Sequence, residues 1–264
     1  MKVRLLASIV VLTLSLPLTS RAEDIDLFVG AQSTSIDLPN VLLILDNTAN
    51  WTQAFDNEMT ALRDVFQSLP DNKINVGVMF AAETSSADNN VQGGYVRAAI
   101  RPMNATNKPL YASMFTALDV GKDKGNSGQS SLVMAEAYRY FVGGNASSGN
   151  YKAKADYTGN TAADWSNSAS TAASKAAMKA IYDLPGNALT SKSAAKYTPP
   201  PAGTGCAKKF IIYISNGASQ DSNSIISSAT SMLTAAGGDT SAIKLAIAGS
   251  QDNVTDEWAR FMHD

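Results

Sequence analysis

Three short polar segments of this 264-residue chain carry oxygen-bearing side chains where apolar runs end. Asp46, Thr48 and Asn50 alternate in Asp46-Asn47-Thr48-Ala49-Asn50, directly after VLLIL at 41–45. Ser130 lies in GQSS at 128–131, just ahead of LVMAEAYRYFV at 132–142. Asn216 lies in Ser215-Asn216-Gly217, directly after FIIYI at 210–214. A carboxylate, hydroxyls and amide carbonyls are the ligands of a hard divalent cation, Mg²⁺ or alternatively Ca²⁺ or Mn²⁺. Mg²⁺ keeps several waters, so such a site would leave a coordination position for an acidic group on a partner. Asp46 is the one carboxylate among the five, which predicts an ion held weakly or not at all. In the second case the Asn and Thr side chains satisfy turn backbone groups instead.

The composition removes other chemistries. One Cys and one His cannot build a Cys/His zinc cluster, and one Cys cannot build a disulfide framework. Cys206 is a lone thiol with no imidazole near it in sequence. His263 is one residue from the end of the chain, a poor place for the base that Ser130 or Ser215 would need as a nucleophile. No G-x-S-x-G, P-loop or G-x-G-x-x-G is present. The chain therefore reads as a binding module and not an enzyme, with an exported hydrolase as the remote alternative. A formal net charge of -2 offers no basic footprint for nucleic acid.

Elements able to position the three segments follow from hydrophobic patterning. The runs at 41–45, 74–80, 95–100, 210–214 and 243–248 read as strands, those at 41–45 and 210–214 as buried ones. Helical spacing places helices at 54–69, 110–120, 132–142, 172–182, 222–236 and 254–262. Phe55, Met59, Leu62, Val65, Phe66 and Leu69 would form the buried face of the first. Alternating strands and helices predict an α/β fold with a mainly parallel central sheet and helices on both faces. Ligands of such sheets gather beyond the carboxyl ends of the strands, where the three segments would meet. Residues 145–205 shift to Ala, Ser, Thr, Asn and Gly and read as a polar insertion on the surface, too poor in large apolar residues for a core of their own.

The first 22 residues read as a signal peptide. Lys2 and Arg4 precede an apolar run at 5–18, and Ser20 and Ala22 occupy the small positions of a cleavage site before Glu23. Export to the periplasm, a pilus tip or the cell surface follows, with no transmembrane segment after cleavage. Removing Lys2, Arg4 and Arg21 from 21 basic residues leaves 18 against 23 acidic, a formal charge of -5 for residues 23–264.

The pattern Asp46-x-Thr48-x-Asn50 after an apolar strand resembles the Asp-x-Ser-x-Ser motif of von Willebrand factor A domains. The resemblance implies a three-layer sandwich whose metal-ion-dependent adhesion site comprises Asp46, Thr48, Asn50, Ser130 and Asn216. Ser130 stands for the threonine of the second loop and Asn216 for the Asp of a Thr-Asp-Gly turn. Asn50 for Ser and Asn216 for Asp are departures that make the site degenerate. More narrowly, PNVLLILDN, MAEAYRYFVGG, CAKKFIIYISNG and DEWARFMHD resemble the N-terminal region of PilY-type proteins, tip-associated adhesins of type IV pili. That likeness implies a role in adhesion or pilus assembly, with pilus proteins or a host or surface receptor as partners. A metal-independent scaffold in pilus biogenesis is the alternative. It also implies a further strand, a helix and a β-propeller past Asp264, so the chain reads as an early-ended member of the group.

Overall fold

A computed structural model describes residues 37–47, 52–83, 91–125, 129–146, 152–161, 171–203, 207–215, 217, 221–240 and 253–263. The expected signal peptide, the expected strand at 243–248, Cys206, and the candidate ligands Thr48, Asn50 and Asn216 lie outside the described residues.

Four strands form one mixed sheet: β1 (Asn40–Leu45), β2 (Asn75–Glu83), β3 (Val91–Pro102) and β4 (Lys209–Ile214), in the order β3-β2-β1-β4. β1 runs parallel to both neighbours, with Val41 opposite Val76 on one side and Phe210 on the other. β2 and β3 are antiparallel, and their register shifts between Val76 and Val78. The chain is thus α/β, with two of the three pairings parallel. Every residue of β1 and β2 is buried. Side chains alternate between the faces of a strand, so both faces of these two strands are covered. That is the physical meaning of the unbroken apolar run at 41–45.

The helices are α1 (Thr52–Ser68), α2 (Asn107–Ala117), α3 (Val120–Asp123), α4 (Ser130–Val142), α5 (Ala172–Tyr182), α6 (Asn223–Ala236) and α7 (Thr255–His263). α1 buries Phe55, Met59, Leu62 and Phe66, one stripe at helical spacing, and leaves Val65 at 50% exposure outside it. Phe66 stacks on Tyr111 of α2 at 5.7 Å and packs on Phe115 at 4.9 Å. α4 packs on β3 and on α6 and α7. It ends at Gly143, whose φ of 66° is the left-handed conformation that glycine takes most readily, with Gly144 N–H closing onto Arg139 O at 2.8 Å. Trp258 and Phe261 of α7 pack around Tyr138 of α4. Among the described residues no helix is long and apolar enough to cross a membrane.

Two of the expected elements change. The helix expected at 110–120 stops at Ala117. Leu118 is extended, and Asp119 accepts the Gly121 N–H to cap the separate short helix α3, because an Asp side chain satisfies a helix start better than a helix interior. The apolar strand at 210–214 forms, but it is not buried as β1 is: Phe210 and Ile212 are 37% and 51% exposed. β4 is the last strand of the described sheet, and burial depends on what lies beside a strand as much as on its own composition.

The Ala- and Ser-rich stretch at 145–205 does not merely coat the surface. Ala153, Lys154, Ala155 and Asp156 are buried, and the Asp156 N–H donates to Val96 O of β3 at 3.0 Å. Charges hold this segment in place. Arg97 of β3 pairs with Asp123 at 3.2 Å and donates to Lys154 O. Lys154 Nζ lies 3.4 Å from the same Asp123 carboxylate, and the Lys154 N–H donates to Glu83 Oε1 at 2.8 Å. Burial lowers the Lys154 ammonium from its ordinary value and raises the Glu83 carboxyl.

Candidate functional site at the ends of β1 and β4

β1 delivers Asp46 to the carboxyl edge of the sheet. The Asp46 N–H still donates to Ile214 O at 3.0 Å, so this residue remains tied to β4 as the strand ends. The next side chain is itself firmly held. Asn47 is 2% exposed; its amide donates to Ala82 O at 2.7 Å and Asp123 O at 2.6 Å, and its Oδ1 accepts the Ala82 N–H at 2.9 Å. A side-chain amide thereby continues the β1–β2 ladder one step beyond the strand, and each buried bond of this kind would be costly to lose. The residue between the ligand candidates, and not a ligand candidate itself, anchors the start of the loop.

β4 brings Ser215 beside Asp46, with Ser215 Oγ 3.5 Å from Asp46 Oδ2. The same hydroxyl donates to Gly217 O at 2.7 Å and accepts the Gly217 N–H at 3.3 Å, a tight turn closed by one side chain.

Ser130 opens α4. Its hydroxyl shares a hydrogen bond with Thr255 Oγ1 at 2.7 Å. Ser131 is equally engaged: its hydroxyl accepts the Val254 N–H at 3.0 Å, and its own N–H donates to Asp221 Oδ2 at 3.0 Å. The first turn of α4 is therefore tied to the start of α7 and to the loop after β4. Gln129, at the cap position, makes no side-chain capping bond, and the orphan N–H of Ser131 is met from a distant part of the chain. Asp221 is 1% exposed. Burial, and then the charges of Asp46 and Asp221, raise the Tyr213 phenol well above its ordinary value.

Of the five residues expected to hold an ion, the described structure contains Asp46 and Ser130. Asp46 lies at the end of β1 against Ser215, and Ser130 at the head of α4 one residue from the contact with Asp221. Thr48, Asn50 and Asn216 fall outside the described residues. The donors present are all oxygen and fit a hard cation better than a soft one. Among the described residues no group of three or more His, Cys, Asp or Glu is placed to hold a metal. A cation here would depend on hydroxyls, amides and water beside one or two carboxylates.

Two acids escaped the sequence reading. Glu58 of α1 sits next to the apolar stripe, one residue before Met59, and a charge at that position was the signal available. Burial, and then the nearby charge of Asp46, push its carboxyl up to about 7. Between pH 4.5 and 7 the folded chain keeps a proton that the unfolded chain releases, so Glu58 lowers stability as pH rises through that window. Glu58→Gln is expected to match the wild type at pH 4 and to be more stable by about 1 kcal/mol at pH 8, a figure reduced for the partial exposure of the side chain. Urea unfolding at both pH values checks this; equal differences at the two would contradict it. Asp221, in the polar segment SQDSN, carried no periodic or motif signal at all.

No protein-family model, curated protein or solved structure matches the chain.

Proposed function

We propose that the chain is an exported adhesion or assembly module of a type IV pilus, built on a von Willebrand factor A-like three-layer sandwich. It binds a protein or surface partner through a degenerate metal-ion-dependent adhesion site at Asp46. The observation that carries this reading is the placement of Asp46: it leaves a strand buried on both faces and lies at once beside Ser215, the residue that follows the neighbouring parallel strand. Topology supports the choice of fold, since β1 lies between two parallel partners and its carboxyl end is where ligands of such sheets collect. The signal-peptide pattern at 1–22 and the four PilY-like segments support the cellular role.

In this reading Asn47 holds the loop, Asp46 provides charge, and the hydroxyls of Ser130 and Ser215 complete an oxygen-lined edge. A bound divalent cation would supply electrostatic attraction for an acidic group on the partner. A bacterium producing the Asp46→Ala chain is expected to lose most of its pilus-dependent surface attachment while the purified variant keeps the wild-type melting temperature. Unchanged attachment by a folded, exported variant would overturn the adhesion site.

One observation favours a metal-independent scaffold as the second reading. The loops already bind each other directly, through Ser130 with Thr255, Ser131 with Val254 and Ser131 with Asp221. A scaffold predicts normal piliation and attachment in Asp46→Ala and loss of both when the α4–α7 contact is broken.

A further inference from the structure

Asn216-Gly217 is the one Asn-Gly step in the chain. An asparagine in that position is open to attack from its own backbone. The nitrogen of the following residue closes on the side-chain carbonyl carbon, and both atoms are tied to the same Cα, so no distant partner is required. What the reaction needs is a next residue with no side chain in the way, a turn with room to close the ring, and an acceptor for the nitrogen's proton.

The described residues on either side of Asn216 meet those needs. Ser215 follows the last residue of β4, and both it and Gly217 are exposed. A Cβ built on Gly217 meets nothing within 4 Å, so the backbone there has space to rotate. The Gly217 N–H, which must give up its proton, donates to Ser215 Oγ at 3.3 Å. The same hydroxyl donates to Gly217 O at 2.7 Å. An O–H placed in this way takes the proton from the nitrogen and passes it to the water around the turn. The other asparagines of this region lack the combination. Asn47 is 2% exposed with its amide bonded at both ends, and Asn145 is exposed but precedes Ala146.

We infer that Asn216 is a self-modifying residue, converted without an enzyme to aspartate or isoaspartate. A bond forms between Gly217 N and Asn216 Cγ, the bond from Cγ to the side-chain nitrogen breaks, and ammonia leaves with the proton taken from Gly217 N through Ser215 Oγ. Water then opens the resulting succinimide. Opening at Cγ gives aspartate; opening at the backbone carbonyl gives isoaspartate, whose main chain runs through one extra carbon. Either product places a carboxylate next to Ser215, whose hydroxyl stands 3.5 Å from Asp46 Oδ2. The charge of this sheet edge and the shape of its turn therefore change as the protein ages, whatever the edge binds.

Peptide mapping by mass spectrometry over a time course at neutral pH tests this on the folded chain after signal removal. The expected result is conversion of amide to acid at Asn216 with release of ammonia, while Asn47 and Asn145 of the same molecules keep their amides. Gly217→Ala, for which the structure has room, is expected to slow conversion by at least about tenfold. Ser215→Ala is expected to slow it by at least about threefold. If Ser215→Ala does not fold, Ser215→Thr and Ser215→Val, alike in shape, are read instead: the first should keep the wild-type rate and the second lose it. An intact amide at Asn216 once Asn145 has begun to convert would overturn the inference. A wild-type rate in Gly217→Ala would overturn the ring-closing route, and a wild-type rate in the folded variant without the hydroxyl would overturn the part given to Ser215.

Discussion

Asp156→Ala is expected to destabilise the domain by about 3–5 kcal/mol, because it strands a buried guanidinium. Arg101 of β3 is 3% exposed. Its guanidinium meets Asp156 through two nitrogens, at 2.8 and 3.2 Å, and also donates to Tyr111 Oη and Pro185 O. Asp156 is fully buried and serves two further donors, the Ala99 N–H at 2.7 Å and the Asn187 amide at 2.6 Å. Truncation therefore leaves a charge and two neutral donors without their acceptor. The paired change Arg101→Met with Asp156→Leu is expected to recover much of the loss, since well-packed apolar residues often replace a buried ion pair at little cost. Equilibrium unfolding in urea measures both. Hydrogen exchange locates the damage: amides at 152–161 should lose protection first, because Asp156 fastens that segment to β3. A loss below about 1 kcal/mol for Asp156→Ala would show that this bidentate contact does not hold the segment.

The second large effect comes from one added carbon. A Cβ built on Gly77 would lie 2.6 Å from Ile100 Cγ1, 2.7 Å from Ile100 N and 3.0 Å from the Ala99 carbonyl carbon. Two of these three atoms are backbone of β3, so no rotamer change clears the space. Gly77 lies in the interior of β2, where the β2–β3 register shifts between Val76 and Val78. The missing side chain lets β3 close over the irregularity. Gly77→Ala is expected to cost about 3 kcal/mol through strain in a packed interior, visible as a lowered urea midpoint with an unchanged slope. An isostable variant would mean that β2 and β3 separate there without penalty.

These two positions differ sharply in how they could be read. Gly77 interrupts INVGVMF, and a glycine inside an apolar strand signals a bulge or a close backbone approach. Asp156 lies in a polar stretch that gave no hint of an interior partner. The same contrast runs through the molecule. The stripe of α1, the stop at Gly143 and the unbroken run of β1 are properties of neighbouring residues, and composition with periodicity exposes them. The burial of β4 was overestimated from the same kind of signal, because FIIYI records a preference while the outcome depends on the strand's flank.

Within the candidate site, Asp46 was legible as an acid directly after a buried strand, and Ser130 as a hydroxyl heading a helix. Asn47 stands in the same motif, yet its function belongs to Ala82 and Asp123, which lie 35 and 76 residues away. Asp221 reaches Ser131 across 90 residues, and Lys154 reaches Glu83 across 71. The chain's own letters marked most of the described strands and helices and the oxygen-rich segment that follows β1, since apolar periodicity is settled within a few residues. Tertiary structure alone decided which acid meets the head of α4, which loop amide extends the sheet, and which charges are shut inside with the 152–161 segment. A buried polar group must find its partner wherever folding brings one, and that distance along the chain leaves no mark in local pattern.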